Sequence, residues 1–291
     1  MSLESFKPVL MLAEIILLAR KNLVGTGFCN TRITTGLLEK GKQITVNTIS
    51  HVSSTDTDED NAMTFDDVTS TGTDVTITLD KTVAIKLKDR EKQEVEVNGM
   101  TLESAFASEI LYTLADDIDT LIAGIHTEAT DNYETGTTAW QFGTDAADWP
   151  KFVAQIHKDL DDANVGHAQD RDRMRYMSLP NNAIQAMRLF FMGRGTNLGD
   201  EVNRNGMIAN DAGGFRIFQN PNSVSAAGTT HGLAGLTQSS IALALSISPN
   251  IEKLRLQGFW ADGLRARATA GVKCFKTAET LDINLNDSLL A

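Results

Sequence analysis

Cysteine is scarce in this chain of 291 residues. Only Cys29 and Cys274 are present, near opposite ends of the sequence. Two lone thiols make no disulfide framework and are typical of a protein kept in a reducing compartment. The sequence contains no CxxC pair and no Cys/His cluster, which argues against a structural zinc site.

Basic residues are too few for a protein that binds nucleic acid over its whole surface. Lys and Arg number 26 against 38 Asp and Glu, so the formal net charge is −12. Sequence-independent binding to phosphates needs clustered cations, and we expect no sequence-specific nucleic-acid partner. The 42% of hydrophobic residues excludes a globally disordered chain and is enough for a sizeable core.

No apolar run near the N-terminus is long enough to cross a membrane. The longest covers Val9–Ala19, contains Glu14, and is far shorter than the roughly 20 residues that a membrane-spanning helix needs. No small-residue cleavage site follows it, so a signal peptide is not indicated. We predict a helix over Leu10–Leu23 of a cytosolic protein, with apolar faces that need cover from its own domain or from a neighbouring molecule. The glycine-rich stretch Gly25–Lys42 predicts an extended arm with little core of its own.

Recognisable catalytic motifs are missing from the sequence. Five histidines are scattered without metal-binding spacing, and no GxSxG motif is present. We expect His157 to face solvent on a helix, and Cys29 to be a buried or tolerated thiol because no motif places a base beside it. The loop GRGTNLG (193–199) lacks the GK[ST] ending and the third glycine of nucleotide-binding motifs, and is interpreted as a flexible loop. We therefore predict no enzymatic activity and no cofactor.

One acidic stretch has the opening of a calcium-binding loop, at Asp56, Asp58 and Asp60. Its sixth position is Asn61 rather than Gly and its twelfth is Asp67 rather than Glu, so an EF-hand is not indicated. A loose surface cation site stays open as an alternative, and we predict no resident metal.

Residues 43–80 have the composition of strands and loops. They include ten threonines and eight acids but no Lys or Arg, and threonine favours strands. Apolar and polar residues alternate over 75–79 and again over 83–88, which predicts a hairpin around Asp80–Thr82 or one long kinked strand. Either structure has one apolar face. A projecting two-stranded ribbon is only marginally stable unless it lies on something.

Charge separates along the same part of the chain. Acids precede the predicted ribbon and cations lie along it, at Asp56, Asp58 and Asp60 and at Lys86, Lys88 and Arg90. In one interpretation both blocks are solvated surface. In the other, each block faces the opposite sign on another copy of the chain, where complementary potentials fix the register. The six residues are then candidates for a subunit interface.

Met100–Ala129 carries the strongest helical pattern. Its apolar residues recur at steps of three and four, and Thr101 is suited to cap the N-terminus. A helix of this length would run roughly 40 Å, which is long for a compact domain and indicates a spine.

The residues after Trp149 predict a mixed α+β domain. Amphipathic helices are indicated after Trp149 and Asn181. Strands are indicated at 174–179, 215–218, 240–248, 252–260, 264–274 and 281–285. A turn at Ala261–Gly263 is expected to separate the last long pair of strands.

The order of these features resembles the major capsid (coat) protein of tailed bacteriophages, whose shell fold is shared with encapsulins. The resemblance spans residues 5–287. It is carried by TVAIKLKDRE (82–91), TLADDIDTLIAG (113–124), MRYMSLPNNAIQAM (174–187), NGMIANDAGGFRIFQNPNSV (205–224) and GLRARATAGVKCFKTAETLDINL (263–285).

The resemblance implies an α+β chain with the phage major capsid fold, divided into four parts. These are an N-terminal helix and arm (1–42), a β-rich segment with an extended loop (43–99), a spine helix with a peripheral domain (100–148) and an axial α+β domain (149–291). No scaffolding or protease-removed segment is evident ahead of the arm, so we expect a separate scaffolding protein or a mature chain. We identify neither the Lys–Asn pair nor the carboxylate needed for the subunit cross-linking found in some relatives, so we do not predict cross-linking.

The function that the resemblance implies is self-assembly into an icosahedral shell enclosing phage DNA. Its partners would be other copies of the chain, in pentamers and hexamers, with scaffolding, portal or decoration proteins as further candidates and no membrane. The location would be the virion, after assembly in the host bacterial cytoplasm. Two alternatives stay open, an encapsulin-type compartment and an enzyme without a recognisable motif.

Overall fold

The computed structural model describes residues 21, 23–32, 42–49, 52, 54, 67–89, 102–129, 131–133, 139–141, 149–163, 165, 174–192 and 211–286. Most of the predicted N-terminal helix, the candidate acids Asp56, Asp58 and Asp60, and the candidate cation Arg90 lie outside this part of the chain.

The described residues form three α-helices and twelve β-strands. The helices are α1 (Leu102–Ala123), α2 (Trp149–Asp162) and α3 (Asn181–Met192). The strands are β1 (Gln43–Ile49), β2 (Ser70–Thr76), β3 (Leu79–Lys88), β4 (Asp131–Tyr133), β5 (Arg175–Leu179), β6 (Asp211–Ala212), β7 (Phe215–Gln219), β8 (Ser225–Ala226), β9 (Thr229–Leu236), β10 (Ile241–Arg255), β11 (Ala261–Cys274) and β12 (Leu281–Asn286).

These strands build three sheets. β1 and β2 form a two-stranded antiparallel ribbon, and β10, β11 and β3 form a three-stranded antiparallel sheet. The remaining strands form a seven-stranded mixed sheet with the order β4-β12-β9-β5-β7-β6, with β8 paired to β9. Since β11 pairs with both β10 and β3, the three-stranded sheet joins distant parts of the sequence.

Helix α1 lies across the three-stranded sheet, as its apolar stripe allows. Ile110, Leu114, Ile118 and Ile122 are buried in one core with residues of β3, β10 and β11. The α-helix ends at Ala123, and a 3-10 turn follows over Gly124–Glu128. The prediction of a helix in this region is confirmed, but its α-helical part is shorter than expected because the glycine at 124 has a poor helix propensity.

Of the two structures predicted around Asp80–Thr82, the hairpin is wrong, because β2 and β3 do not pair with each other. The alternative of one long kinked strand is closer, since only Ile77 and Thr78 separate β2 from β3. β2 pairs with β1, whereas β3 pairs with β11 from Leu79 opposite Ala270 to Lys88 opposite Ala261. The alternation along β3 does mark a one-sided strand, with Leu87 buried beneath α1. The apolar face that we expected to be uncovered is therefore covered within the same chain, because a period of two identifies a strand but not its partner.

The turn between β10 and β11 lies before the predicted one. It covers 256–260, where Gly258 has a φ of +78°, and Ala261–Gly263 belong to β11. The strand β10 also continues through Pro249, although we expected that proline to end it. Its pairing with β11 shifts register between Leu245 and Asn250, and such an irregularity accommodates a proline within a strand.

The start of the predicted arm is part of the core. Phe28 and Cys29 are buried, and the Phe28 ring stacks on Tyr176 at a centroid distance of 4.5 Å. A Cβ at Gly25 would lie 2.6 Å from Asp119 Oδ1, so only glycine permits this close approach. The expectation of little core here is wrong for these residues, because two isolated apolar residues gave no periodic signal.

The second core lies between the mixed sheet and two helices. Phe152, Ile156 and Leu160 of α2 and Ile184 and Met187 of α3 pack on the sheet. The predicted helices after Trp149 and Asn181 are confirmed. The predicted strands near 174–179, 215–218 and 281–285 are confirmed as well.

Candidate functional site

Two of the predicted interface residues can be located on the three-stranded sheet. Lys86 and Lys88 lie at the end of β3, and both are exposed. The earlier cation Lys81, on the same strand, forms an ion pair with Asp117 of α1. The Lys81 charge is therefore paired within the chain. The other four predicted interface residues, Asp56, Asp58, Asp60 and Arg90, lie outside the described residues.

The ribbon of β1 and β2 presents an apolar end to solvent. Its register runs from Gln43 opposite Thr76 to Ile49 opposite Ser70. Ile49 is 74% exposed, and Val52 and Val68 are more than half exposed. We call these three residues the ribbon tip. They lie, in sequence, within three residues of the end of the ribbon at the Ile49–Ser70 pair, and exposed apolar patches are typical of interaction surfaces.

The opposite end of the ribbon is anchored in the protein. Val75 and the following Ile77 are buried against Ala242 and Ala244 of β10. The Thr78 amide donates to the Ala270 carbonyl at 3.1 Å. The seven residues of each strand make the ribbon roughly 24 Å long. The ribbon is therefore fixed at its base and presents its tip to solvent.

A second apolar end lies at the turn between β10 and β11. Trp260 is 86% exposed and Phe259 is 59% exposed. The Lys86 ammonium lies 3.5 Å above the centroid of the Phe259 ring, a cation–π contact. We call residues 256–260 together with Lys86 the hairpin tip.

Ion pairs fix the strands that carry the hairpin tip. The Arg255 guanidinium binds Asp89 at 2.5 and 2.6 Å and Asp262 at 2.9 Å. Lys253 binds Glu103 of α1 at 2.8 Å. Hydrogen bonds to Asp89 and Asp262 raise the pKa of Arg255 above its ordinary value. A network with bidentate geometry holds the backbone better than an isolated surface pair does.

Asp119 is a buried carboxylate that joins three elements. Its Oδ1 accepts from the backbone N–H of Gly25 at 2.5 Å and of Val24 at 3.1 Å. Its Oδ2 accepts from Asn222 Nδ2 at 3.1 Å. Burial raises the pKa of Asp119, and these three hydrogen bonds oppose that shift. The contacts hold the Val24–Gly25 segment against α1 and the turn at Asn222.

The described histidines have specific partners. His157 is half-buried: its Nδ1 accepts from Arg175 at 2.9 Å and its Nε2 donates to the Gly213 carbonyl at 2.6 Å. The expectation that His157 faces solvent is therefore wrong, since the buried Arg175 on β5 provides an unforeseen partner. His126 stacks on His231 at 4.2 Å, and His231 Nδ1 lies 3.0 Å from Asp282 Oδ2. The residues in these contacts are far apart in the sequence and form no known motif, so the sequence alone does not predict the contacts.

Both thiols are buried, as expected for Cys29. Burial, followed by the charge of Asp119, raises the pKa of the Cys29 thiol above its ordinary value. Burial is also the main cause that raises the pKa of Cys274, whose Sγ contacts Thr280 Oγ1 at 3.1 Å. A raised pKa reduces the thiolate fraction and hence nucleophilicity.

Within the described residues, no group of three or more His, Cys, Asp or Glu side chains is arranged to hold a metal ion. None of the helices described combines the length and hydropathy required to span a bilayer. The exposed features that stand out are instead the two apolar tips.

Comparison with solved structures identifies this architecture. The chain is similar to a structure from Mycobacterium phage Che8, with a TM-score of 0.68, 21% identity, and coverage of 92% of this chain and 93% of that chain. It is also similar to the capsid structure of the cyanophage P-SCSP1u, with a TM-score of 0.68, 12% identity, and coverage of 95% and 92%. The capsid of a native GTA particle matches with a TM-score of 0.63, 10% identity, and coverage of 94% and 93%.

The chain has the fold of phage capsid proteins, over nearly its whole length and theirs. The predicted α+β capsid fold is thereby confirmed. Neither a protein-family model nor a curated protein sequence matches the chain. At 10–21% identity to these structures, the likeness establishes the fold alone, because one fold hosts many functions.

Proposed function

We propose that this protein is the major capsid protein of a tailed phage and assembles with copies of itself into an icosahedral shell around the phage DNA. The observation that supports this most strongly is the full-length likeness to capsid structures, which covers more than 90% of this chain in each of the three comparisons above.

The surface chemistry supports the same function. A soluble monomer gains nothing from a ribbon with an apolar tip and an exposed tryptophan, whereas a shell subunit buries such groups against its neighbours. The net charge of −12 also suits a container, since an acidic wall does not adhere to packaged DNA. In this function the protein belongs to the virion, and portal, scaffolding and decoration proteins are its candidate partners.

The charged blocks provide candidate contacts between subunits. Cations at Lys86, Lys88 and Arg90 on one copy would face acids at Asp56, Asp58 and Asp60 on another. Lys86, in the hairpin tip, and Lys88, at the end of the same strand, are both exposed, which keeps them accessible to a neighbouring subunit. Complementary charges of this kind set register and partner choice more than affinity.

Sedimentation velocity with negative-stain electron microscopy on the purified chain tests the function. We expect pentamers, hexamers or closed shells over a range of protein and salt concentrations. A folded chain that stays monomeric throughout that range would overturn the proposal.

A further inference from the structure

The Lys21 side chain contacts an asparagine that lies 201 positions away in the sequence. Its Nζ donates to Asn222 Oδ1 at 2.9 Å and lies 3.7 Å from Asp116 Oδ2. Because Oδ1 is bonded to the carboxamide carbon Cγ of Asn222, the amine lies beside a carbonyl carbon. A lysine amine is a nucleophile once it has lost a proton, and a carbonyl carbon is the atom that it attacks. The contact therefore places a nucleophile against an electrophile.

Two carboxyl groups contact the other end of the same carboxamide. Asn222 Nδ2 donates to Asp116 Oδ1 at 2.7 Å and to Asp119 Oδ2 at 3.1 Å. Asp119 is buried, and burial raises its pKa. A raised pKa increases the fraction of the acid form, which can donate a proton. A proton donor therefore lies at the nitrogen that leaves when Cγ accepts another amine.

Backbone hydrogen bonds hold both reacting residues in this arrangement. The Lys21 amide donates to Tyr112 Oη of α1 at 3.0 Å, and the Asn222 amide donates to Asn220 Oδ1 at 2.9 Å. Asn222 is buried in the turn after β7, whereas 52% of the Lys21 side chain is exposed. Reactants that are already held together react much faster than free ones, because the entropy of bringing them together has been lost on folding. The exposed side of Lys21 gives a small product a path to solvent.

We propose that Lys21 Nζ and Asn222 Cγ join in an isopeptide bond within one chain, with release of ammonia. Lys21 first transfers an ammonium proton to the Asp116 carboxylate. The neutral amine then attacks Cγ, the Cγ–Nζ bond forms, and the carbonyl electron pair moves to Oδ1. Asp119 in its acid form gives its proton to Nδ2 and takes the surplus proton from Nζ.

The bond to the leaving nitrogen breaks in the second half of the reaction. The electron pair on Oδ1 returns to the carbonyl, Cγ–Nδ2 breaks, and ammonia leaves with the proton that Asp116 held. Both carboxyl groups regain their initial states. One ammonium and one amide are consumed and one of each is formed, so the step needs no oxidant or other reactant. The bond fixes the segment before Gly25 to the turn after β7, and it does not depend on the proposed shell function.

Mass spectrometry of the purified, folded chain tests the bond directly. The intact mass is compared between the unmodified chain and the variant Lys21→Arg, which keeps a cation but has no amine to react. Tryptic peptides of both are then sequenced, since trypsin isolates Lys21 in peptide 21–32 and Asn222 in peptide 217–253. The matched control is Lys273→Arg, because Lys273 is paired with Glu128 and takes no part in the proposed bond.

We expect the unmodified chain and K273R to be lighter than their sequence masses by one ammonia, and to yield peptide 21–32 joined to peptide 217–253. K21R should have its full sequence mass. Loss of ammonia without the joined peptide would indicate cyclisation of an asparagine and would overturn the inference. A full sequence mass for the folded, unmodified chain would overturn it as well, and either result would leave the shell function standing.

The time course of bond formation tests the role of Asp119. The unmodified chain and Asp119→Asn are made by cell-free synthesis, and their intact masses are followed over time, with circular dichroism to show that both are folded. Asparagine cannot pass a proton to Nδ2, so D119N should form the bond about 100-fold more slowly or less. Equal rates in the two folded chains would show that Asp119 is not the proton donor and would overturn the proposed step.

Discussion

At the scale of single residues, Asp119 holds the Val24–Gly25 segment against helix α1 and the turn at Asn222. The carboxylate is buried and accepts hydrogen bonds from Val24, Gly25 and Asn222. Burial raises its pKa above the unfolded value. The stability that Asp119 contributes is therefore complete below the unfolded pKa, near 4, and declines as pH rises through the folded pKa.

This sign predicts a pH-dependent difference between the unmodified chain and Asp119→Asn. Asparagine does not titrate, and its NH₂ group would face the amide nitrogen of Asn222. The free energy of unfolding of the unmodified chain, relative to D119N, should be largest near pH 4 and should decrease towards pH 7. Urea unfolding of both chains across this range measures it. Parallel stability curves would contradict the assigned shift.

A glycine provides a second test at the same scale. Gly258 in the turn before Trp260 has a φ of +78°, and a Cβ there would meet nothing within 4 Å. Gly258→Ala should therefore cost about 1 kcal/mol through backbone strain alone. Gly124→Ala is the matched control, since Gly124 also has open space around it but lies in a helical turn. Thermal unfolding that ranks the two variants the other way would contradict the assigned turn.

At the scale of elements, helix α1 stabilises the three-stranded sheet by covering it. Leu114 is fully buried in that core, whereas the adjacent Thr113 is exposed. Leu114→Ala should lower the free energy of unfolding by about 2–5 kcal/mol, and Thr113→Ala should change it by less than about 0.5 kcal/mol. Chemical denaturation of both variants measures the difference. Similar costs would show that α1 does not pack as described.

Helix α1 and strand β3 show which features of the fold a local sequence pattern can predict. The stripe from Leu102 to Ile125 predicted a helix, and the alternation along β3 predicted a strand, because both depend on neighbours close in sequence. The pairing of β3 with β11 joins residues about 180 positions apart, and no local periodicity encodes it. The wrong hairpin has this cause.

The candidate site was also predictable only in part. The charge pattern alone identifies Lys86 and Lys88 as candidates. Lys86 is part of the hairpin tip, and Lys88 lies at the end of the same strand. Phe259 and Trp260 were assigned to a strand, so their exposure was not foreseen. The turn that exposes them covers 256–260. The strands beside it are held by the Arg255 contacts with Asp89 and Asp262, which a single sequence does not reveal.

At the scale of the whole molecule, reversing two charges should separate assembly from folding. The double variant K86E/K88E should retain the melting temperature of the unmodified chain to within a few degrees, because both side chains are exposed. It should nevertheless form far fewer oligomers. The acidic surface of a neighbouring copy would attract the two lysines but repel the two glutamates. The double variant K151E/K158E, with two exposed lysines on α2, is the matched control.

Light scattering and sedimentation velocity at low and high salt measure this effect. Because salt screens exposed charges, the difference in oligomer yield between K86E/K88E and the unmodified chain should decrease as the salt concentration rises. Normal oligomer yield from K86E/K88E, or an equal loss in K151E/K158E, would remove the charge-pairing hypothesis.

The central claim is that copies of this chain close into a shell through the ends that one copy leaves exposed. Cryo-electron microscopy of the assembled protein tests it most directly. We predict closed icosahedral particles in which the ribbon of each subunit lies against a neighbour and Trp260 is buried between chains. Open aggregates, or discrete particles in which Trp260 and the ribbon remain in solvent, would contradict it.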